Sequence, residues 1–242
     1  MSTIVDIFKE IAAKIPVAYQ KGKQDEHEAF WDVFHYSSTY VARFAGSGWR
    51  VENFRPTQDI IIGELYNANH CFYYNAANVD LVEWCEQLGI NISLKPYSVL
   101  SMFQGSKFTR IPEVDVTNTA ALSSTFAYCD QLVTIDKLVL KEDGTNTFSS
   151  TFYDCKALEN ITIEGVIGKD VQIQWSKKLT KASLQSIMNA RSATATFSIS
   201  VSKVAVNKAF ETSVGANDGS TSAEWLALVN EKPNCTVSVV NN

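Results

Sequence analysis

The stretch Leu122-Ser-Ser-Thr-Phe-Ala-Tyr-Cys-Asp-Gln-Leu-Val-Thr-Ile135 recurs after a short insert as Phe148-Ser-Ser-Thr-Phe-Tyr-Asp-Cys-Lys-Ala-Leu-Glu-Asn-Ile161. Seven of the fourteen positions are identical, and the shared apolar or small residues are spaced by three. They are Phe126 and Phe152, Cys129 and Cys155, Leu132 and Leu158, and Ile135 and Ile161. A unit with so few apolar side chains cannot close a core alone. The repeat therefore predicts that neighbouring copies stack around one continuous core.

Weaker copies of the motif lie upstream. Phe103-Gln-Gly-Ser-Lys-Phe108 leads to Ile111, and Phe44-Ala-Gly-Ser-Gly-Trp49 matches it at Phe, Gly, Ser and the last aromatic residue. Phe72 can anchor a degenerate unit between them, although chance similarity is an alternative for Phe44 and Phe72. The five phenylalanines are separated by 28, 31, 23 and 26 residues. Such drift is expected of stacked repeats whose insertions loop out on one face.

The pattern Phe-x-x-Cys-x-x-Leu-x-x-Ile, followed by a strand-like run, resembles the irregular leucine-rich repeats of the BspA-like bacterial class. The flanking segments 18–34 and 174–190 look like those beside such repeats in proteins encoded by prophages and gut Firmicutes. The resemblance covers most of residues 18–190. It implies an α+β fold, a leucine-rich-repeat solenoid with short parallel strands. It implies no catalytic residues.

We expect three regions along the chain: an N-terminal helical cap over 1–40, irregular repeats over 41–170, and an α/β cap over 171–242. The N-terminal helices follow from apolar residues at helical spacing between Ile4 and Ile15, interrupted by Pro16. Their expected role is to cover the open edge of the first repeat. The alternative is that they self-associate or dock on a larger assembly, which would allow a homo-oligomer.

Alternation and capping signals predict the remaining elements. Strands are expected at 60–62, 111–116, 135–140, 160–164, 195–201 and 235–240. Helices are expected at 81–88, ended by Gly89, at 179–190, at 203–214, and after a capping box formed by Thr221 and Glu224. One interpretation of the C-terminal part is that it extends the same sheet as the repeats.

Composition and charge restrict the partners. The net charge of −5 and the lack of a basic run argue against nucleic acid. The apolar stretches are far shorter than the roughly 20 residues of a membrane-spanning helix. No secretory signal is visible at the N-terminus, which favours cytoplasmic synthesis. Five cysteines at no metal-ligand spacing argue for packed thiols rather than disulfides or a metal site.

Chemical motifs are not evident. The three histidines have no companions that suggest a triad or a metal site. The segment 165–170 lacks the length and the hydroxyl of a phosphate loop. Nothing in the sequence lowers the pKa of Cys71 or Cys85 for a thiol hydrolase. We therefore expect no enzyme, no cofactor and no metal.

The expected function is a non-catalytic binding or structural module that engages a protein, a glycan surface or other phage particle proteins. The resemblance implies a phage or prophage particle component related to the tail or to host contact, so we expect the chain in a virion. The alternative is a BspA-like cell-surface adhesin, which should carry a signal peptide and an anchor.

Side chains that alternate with the inward residues of the strands must point outward. The candidate binding residues are Arg110, Asp115, Thr134, Lys137, Asn160, Thr162 and Glu164. An ordinary solvated sheet face is the alternative. The lack of an aromatic residue among them weakens the glycan version.

Overall fold

A computed structural model of the chain describes residues 60–62, 68–75, 78–89 and 91–241. The expected N-terminal helices and the repeat copy at Phe44 lie outside these residues. All described residues belong to one compact unit of the chain. The expected boundary near residue 170 stays a prediction.

Helices and parallel strands share two sheets in this unit. The first sheet holds β1 (Ile60–Ile62), β2 (Ile92–Leu94), β3 (Arg110–Ile111), β4 (Val114–Asp115), β5 (Thr134–Val139) and β6 (Asn160–Glu164). The second holds β7 (Val171–Gln172), β8 (Phe197–Ser202) and β9 (Cys235–Val240). The α-helices are α1 (Leu81–Leu88), α2 (Lys181–Asn189), α3 (Lys203–Ala209) and α4 (Ala223–Asn230). Neither sheet closes into a barrel within the described ranges.

The first sheet adds its strands in sequence order. The strand expected over 111–116 is divided into β3 and β4, because Pro112 has no amide hydrogen to donate to a neighbour. Both halves pair with β5, Ile111 with Ile135 and Val114 with Leu138. On its other side β5 pairs with β6, which aligns Ile135 with Ile161. The leucine-rich-repeat solenoid itself stays a prediction.

A column of stacked phenylalanines runs through the core. Phe72, Phe103, Phe126 and Phe152 lie with successive ring centroids 5.0, 5.7 and 5.7 Å apart and their planes nearly parallel. All four are buried in one apolar cluster that includes the repeat leucines and isoleucines. The expected ladder is therefore confirmed, and Phe72 does anchor a unit. We call each phenylalanine with its surrounding turns a layer.

Two residues of left-handed backbone conformation flank each stacked phenylalanine, one two positions before it and one two positions after it. The pairs are His70 and Tyr74, Ser101 and Gly105, Ser124 and Tyr128, and Ser150 and Asp154. Each such residue is the third of a four-residue turn. In one layer the Thr125 amide donates to the Leu122 carbonyl, and the Cys129 amide donates to the Phe126 carbonyl. A positive φ at this position is typical of type II turns.

The turns of successive layers are joined by backbone hydrogen bonds. The amides of Ser124 and Phe126 donate to the carbonyls of Ser149 and Thr151, at 2.8 and 3.0 Å. Along the motif, every second amide closes a turn within its own layer, and the amides between them donate to carbonyls of the next layer. Almost every buried backbone amide needs such a partner, and this alternation supplies it.

The identical side chains of the motif donate hydrogen bonds to the preceding layer. Thr125 Oγ1 donates to the Val99 carbonyl at 3.1 Å, and Thr151 Oγ1 donates to the Leu122 carbonyl at 2.6 Å. The thiols of Cys129 and Cys155 donate to the carbonyls of Phe103 and Phe126, at 2.9 and 3.0 Å.

These four contacts show that Thr125 and Thr151 are equivalent, as are Cys129 and Cys155 one layer apart. The expected equivalence of the two thiols is confirmed. The repeated motif therefore has two causes. Its apolar residues fill the core, and its buried polar side chains each need a hydrogen-bond partner in the preceding layer.

Helix α2 covers the edge of β6. Ser183 Oγ accepts from the Ile161 amide at 3.0 Å and donates to the Glu159 carbonyl at 2.9 Å. Ser186 Oγ accepts from the Ile163 amide at 2.8 Å. The helix therefore takes the place of the next strand. The interpretation that the C-terminal part extends the same sheet is wrong, because these hydroxyls occupy the edge.

The inward face of α2 was predicted correctly. Leu184, Ile187 and Met188 are buried, and Thr180 begins the helix by accepting a hydrogen bond from the Ser183 amide. Helix α1 also has its expected limits, since Asp80 accepts from two amides of the first turn and Gly89 adopts a φ of 64° after the last. Both helices begin at a side-chain cap, as sequence signals of this kind predict.

The second sheet contains the predicted strands β8 and β9, and Phe197, Ile199 and Val201 form the buried side of β8. Helix α3 is shorter than the predicted range 203–214. It ends at Ala209, and Asp218 Oδ1 then accepts from the Thr212 amide at 2.8 Å, which draws the chain into a loop.

Helix α4 does not begin with the predicted capping box. Its cap is Ser222, whose Oγ accepts from the amide of the buried Trp225 at 3.2 Å. Thr221 instead ends the short 3₁₀ turn Gly219–Thr221, because its hydroxyl donates to the Asp218 carbonyl.

Candidate functional site

The predicted binding residues lie on the outward side of the first sheet. None of the seven is buried, whereas Ile111, Ile135 and Ile161 between them are. Strand register places Arg110, Thr134 and Asn160 in one row across three strands. Asp115 and Glu164 flank Val139 in a second row. The predicted phase of the strands agrees with this arrangement, while a role in binding stays a prediction.

Arg110 is held by a carboxylate on the neighbouring strand. Its Nε donates to Asp136 Oδ1 at 2.6 Å and its Nη2 donates to Asp136 Oδ2 at 3.1 Å. Asp80 lies 3.7 Å from the same guanidinium. The hydrogen bond to Asp136 raises the pKa of Arg110 above its usual value. Sequence reasoning missed Asp136, although it follows the inward Ile135 and alternation places it outward.

Lys137 bridges two strands. Its ammonium lies 3.0 Å from Glu113 and 3.2 Å from Glu164. The hydrogen bonds to Glu113 and Glu164 raise the pKa of Lys137 above its usual value.

Asp115 accepts hydrogen bonds from the amide and the hydroxyl of Thr117, at 3.0 and 2.6 Å, and lies 3.6 Å from Lys95. Thr134 and Asn160 lie within 3.5 Å of each other across β5 and β6. These contacts, with those of Arg110 and Lys137, make a mosaic of paired charges and polar groups. Exposed pairs of this kind add little to stability, because solvent screens the charges and the side chains lose rotamer freedom on pairing.

The five cysteines are free and buried. Burial raises the pKa of the Cys71 and Cys129 thiols to about 12 and that of Cys85 to about 11. A thiol with such a pKa holds almost no thiolate at neutral pH. The expectation that the thiols are free and buried is confirmed, while a purely packing role stays a prediction. Among the residues that the structure describes, no three metal-ligating side chains form a group.

Aromatic side chains form a second surface, on the turns rather than on the strands. Tyr128 and Tyr153 meet edge to face with centroids 5.1 Å apart, and Tyr153 lies 4.5 Å from Trp175. Tyr128 is 45% exposed, and the other two are half-buried. We call these three residues the aromatic row. Two layers away, Tyr74 is also exposed and its ring covers Gly105.

Sequence reasoning missed the aromatic row because it searched only the strands for outward residues. The available signal was the presence of a tyrosine one or two positions after the phenylalanine in three layers. Aromatic side chains with one exposed side are enriched where proteins bind partners.

Described residues also form two grooves elsewhere on the surface. One of about 560 Å³ is lined by several hydroxyl groups and by Lys169 and Asp170. The other, of about 630 Å³, contains several lysines beside Glu159 and the exposed Val204. Two of those lysines are paired, Lys178 with Glu159 at 3.6 Å and Lys181 with Glu224 at 2.7 Å. Much of the positive charge of this groove is therefore compensated.

Comparison of the chain with protein-family models, with curated proteins and with solved structures found no significant match. Within the described ranges, no helix has both the length and the apolar character needed to cross a membrane.

Proposed function

We propose that this chain is a non-catalytic binding module built on a leucine-rich-repeat solenoid. The observation that carries the proposal is the register between layers, which holds outward polar residues in rows above a continuous apolar core. A rigid repeat frame presents an extended surface without the ordering cost that a mobile loop would impose on binding.

The setting that we propose is a phage or prophage particle, with the chain near the tail or at the site of host contact. Support for this setting comes from the resemblance of segments 18–34 and 174–190 to those beside repeats of prophage proteins. Particles purified after prophage induction of the source strain should contain the chain. Recovery from the cell-wall fraction alone would instead favour a surface adhesin.

The binding role is tested by attachment of the purified protein to isolated bacterial envelope fractions. Wild-type protein should attach, and replacing Arg110, Lys137 and Asn160 together by Ala should weaken attachment if the sheet face takes part. Thermal unfolding of the triple variant checks that it is folded. Unchanged attachment by a folded triple variant would remove the sheet face from the proposal, and no attachment by wild-type protein would refute the module as a host-binding device.

A further inference from the structure

We propose that the free edge of β9 pairs with the same strand of a second copy of this chain. The two strands run antiparallel about a two-fold axis and join the second sheets of both copies into one. This proposal goes beyond the proposed binding function and does not depend on it. Its basis is the open backbone edge of β9 together with the uncharged sequence of that strand.

The register of the second sheet shows which backbone groups of β9 face away from β8. The Ile173 amide, directly after β7, donates to the Ser200 carbonyl at 2.9 Å, so the backbone groups of Ser200 face β7. Successive residues of a strand direct these groups to opposite sides, so Ile199 faces β9. Ile199 is aligned with Val237 in a parallel pair, where only one of two aligned residues bonds to the other strand. The amides and carbonyls of Val237 and Val239 therefore face the open edge.

No described element covers this edge. Among the residues that the structure describes, β8 is the only strand that pairs with β9, and no backbone hydrogen bond reaches the outward groups of Val237 and Val239. The side chains of both valines are only half-buried, at the border of the apolar core.

The usual protections of an edge strand are missing from β9. The strand has six residues and contains no proline, glycine or charged side chain. Proteins commonly protect open edges with such residues, with short strands or with a covering element. In this chain α2 covers the edge of β6, and β7 at the other side of the second sheet has only two residues. An unprotected edge of this length is expected where the edge itself is used for pairing.

The sequence of β9 fits a second copy better than a peptide that is recognised by its charge. No charged residue occurs over 233–242, so two copies can meet here without repulsion despite the net charge of −5. A two-fold axis at Ser238 places each Val237 opposite Val239 of the other copy, and the exposed Ser238 opposite its counterpart. Valine then meets valine, and hydroxyl meets hydroxyl. Two-fold pairing also uses the edge in both copies, so association stops at a dimer.

Sedimentation equilibrium of the full chain, with charges placed at position 238, tests this pairing. Wild-type protein should form dimers at concentrations below about 100 μM. Ser238→Lys and Ser238→Glu should each raise the dimer Kd by about tenfold, because like charges then lie opposite each other across the axis. An equimolar mixture of the two variants should recover the dimer, since lysine then faces glutamate.

Ser200→Lys is the matched control. Ser200 is aligned with Ser238 on the same side of the sheet but lies one strand further from the edge. This variant should dimerise as wild type does. Thermal unfolding of all variants checks that they are folded.

Hydrogen exchange of wild-type protein tests the same edge without any substitution. The amides of Val237 and Val239 should exchange more slowly as protein concentration rises, because only the dimer gives them acceptors. The amides of Thr236 and Ser238 face β8 and should change less.

The proposal is overturned if wild-type protein stays monomeric up to about 100 μM, or if both charged variants dimerise as wild type does. A mixture that associates no better than either variant alone would also overturn it, as would growth into larger assemblies. A dimer that survives both substitutions would belong to another surface, for which the N-terminal helices are the predicted candidate. Attachment to envelope fractions is measured separately, so a monomer that attaches refutes only the dimer.

Discussion

Ser106, Cys129 and Cys155 each lie three positions after a stacked phenylalanine, and with Ser176 they form a column of small hydrogen-bonding side chains. Ser106 Oγ lies 3.6 Å from Cys129 Sγ, and Ser176 Oγ donates to the Cys155 carbonyl at 3.0 Å. Serine and cysteine therefore occupy equivalent positions in successive layers. The column needs a compact side chain that can donate to a buried carbonyl, and both residues meet that need.

Removal of one ring from the phenylalanine column should cost stability in proportion to its burial. Phe126 is fully buried between Phe103 and Phe152, so Phe126→Ala should lower the free energy of unfolding by about 3–5 kcal/mol. Urea unfolding provides the measurement. Leu226→Ala is the control, since Leu226 is 46% exposed and should lose less than about 1 kcal/mol. Equal losses in the two variants would contradict the ladder.

The thiols should react slowly in the folded protein. Burial raises the pKa of Cys129 to about 12 and that of Cys155 well above its usual value, so neither forms thiolate at neutral pH. A disulfide reagent should label these two thiols only as the protein unfolds, and all five cysteines should react in denaturant. Rapid labelling of Cys129 or Cys155 in native protein would show that the layers open, contrary to a packed core.

At the scale of elements, the close approach of neighbouring layers depends on glycine where the chain leaves β6. A Cβ atom at Gly165 would overlap the Leu140 carbonyl oxygen of the preceding layer. Gly215 has nearly the same φ, 84° against 86°, but has no atom within 4 Å of its Cβ position. The two glycines therefore share the backbone requirement and differ in the space around them.

Gly165→Ala should consequently destabilise the protein more than Gly215→Ala does. Both variants carry the strain of alanine at positive φ, and the overlap with Leu140 should add about 1–3 kcal/mol at position 165 alone. Urea unfolding of both variants measures the difference. Equal destabilisation would mean that the layers separate enough to accept a methyl group.

Strands and helices with periodic patterns were predictable from the sequence, because alternation and caps are local signals. The strands at 134–139 and 160–164 follow their repeat motifs closely. The division of the earlier strand at Pro112 and the edge position of α2 depend on neighbours in space. In the sequence, Ser183 and Ser186 look like ordinary residues of a helix. Their role depends on the edge of β6, whose amides donate hydrogen bonds to their hydroxyls in the folded chain.

At the scale of the whole unit, one buried apolar cluster extends from Ala68 to Cys235 and joins the two sheets. Such continuity predicts that the sheets unfold together. In hydrogen exchange, Phe126→Ala should lower the protection of β5 and β8 amides by similar free energies. Loss of protection in β5 with wild-type protection in β8 would show that the sheets are separate folding units.

The candidate surfaces differed in how far the sequence revealed them. Outward residues of the strands, such as Arg110 and Asn160, follow from alternation alone. The aromatic row does not, because Tyr128 and Tyr153 occupy different positions relative to their phenylalanines. Tyr128 and Tyr153 become neighbours only because the turn of one layer packs on the turn of the next. The sequence of a single repeat copy does not show this contact.

Ser183 and Ser186 of α2 also limit the number of strands in the first sheet. A parallel sheet has no internal limit on its number of strands, since each edge offers the same donors and acceptors to the next strand. By binding the amides of Ile161 and Ile163 with hydroxyls, α2 ends the series at β6. Repeats can be gained or lost upstream during evolution while the sheet still terminates in the same way.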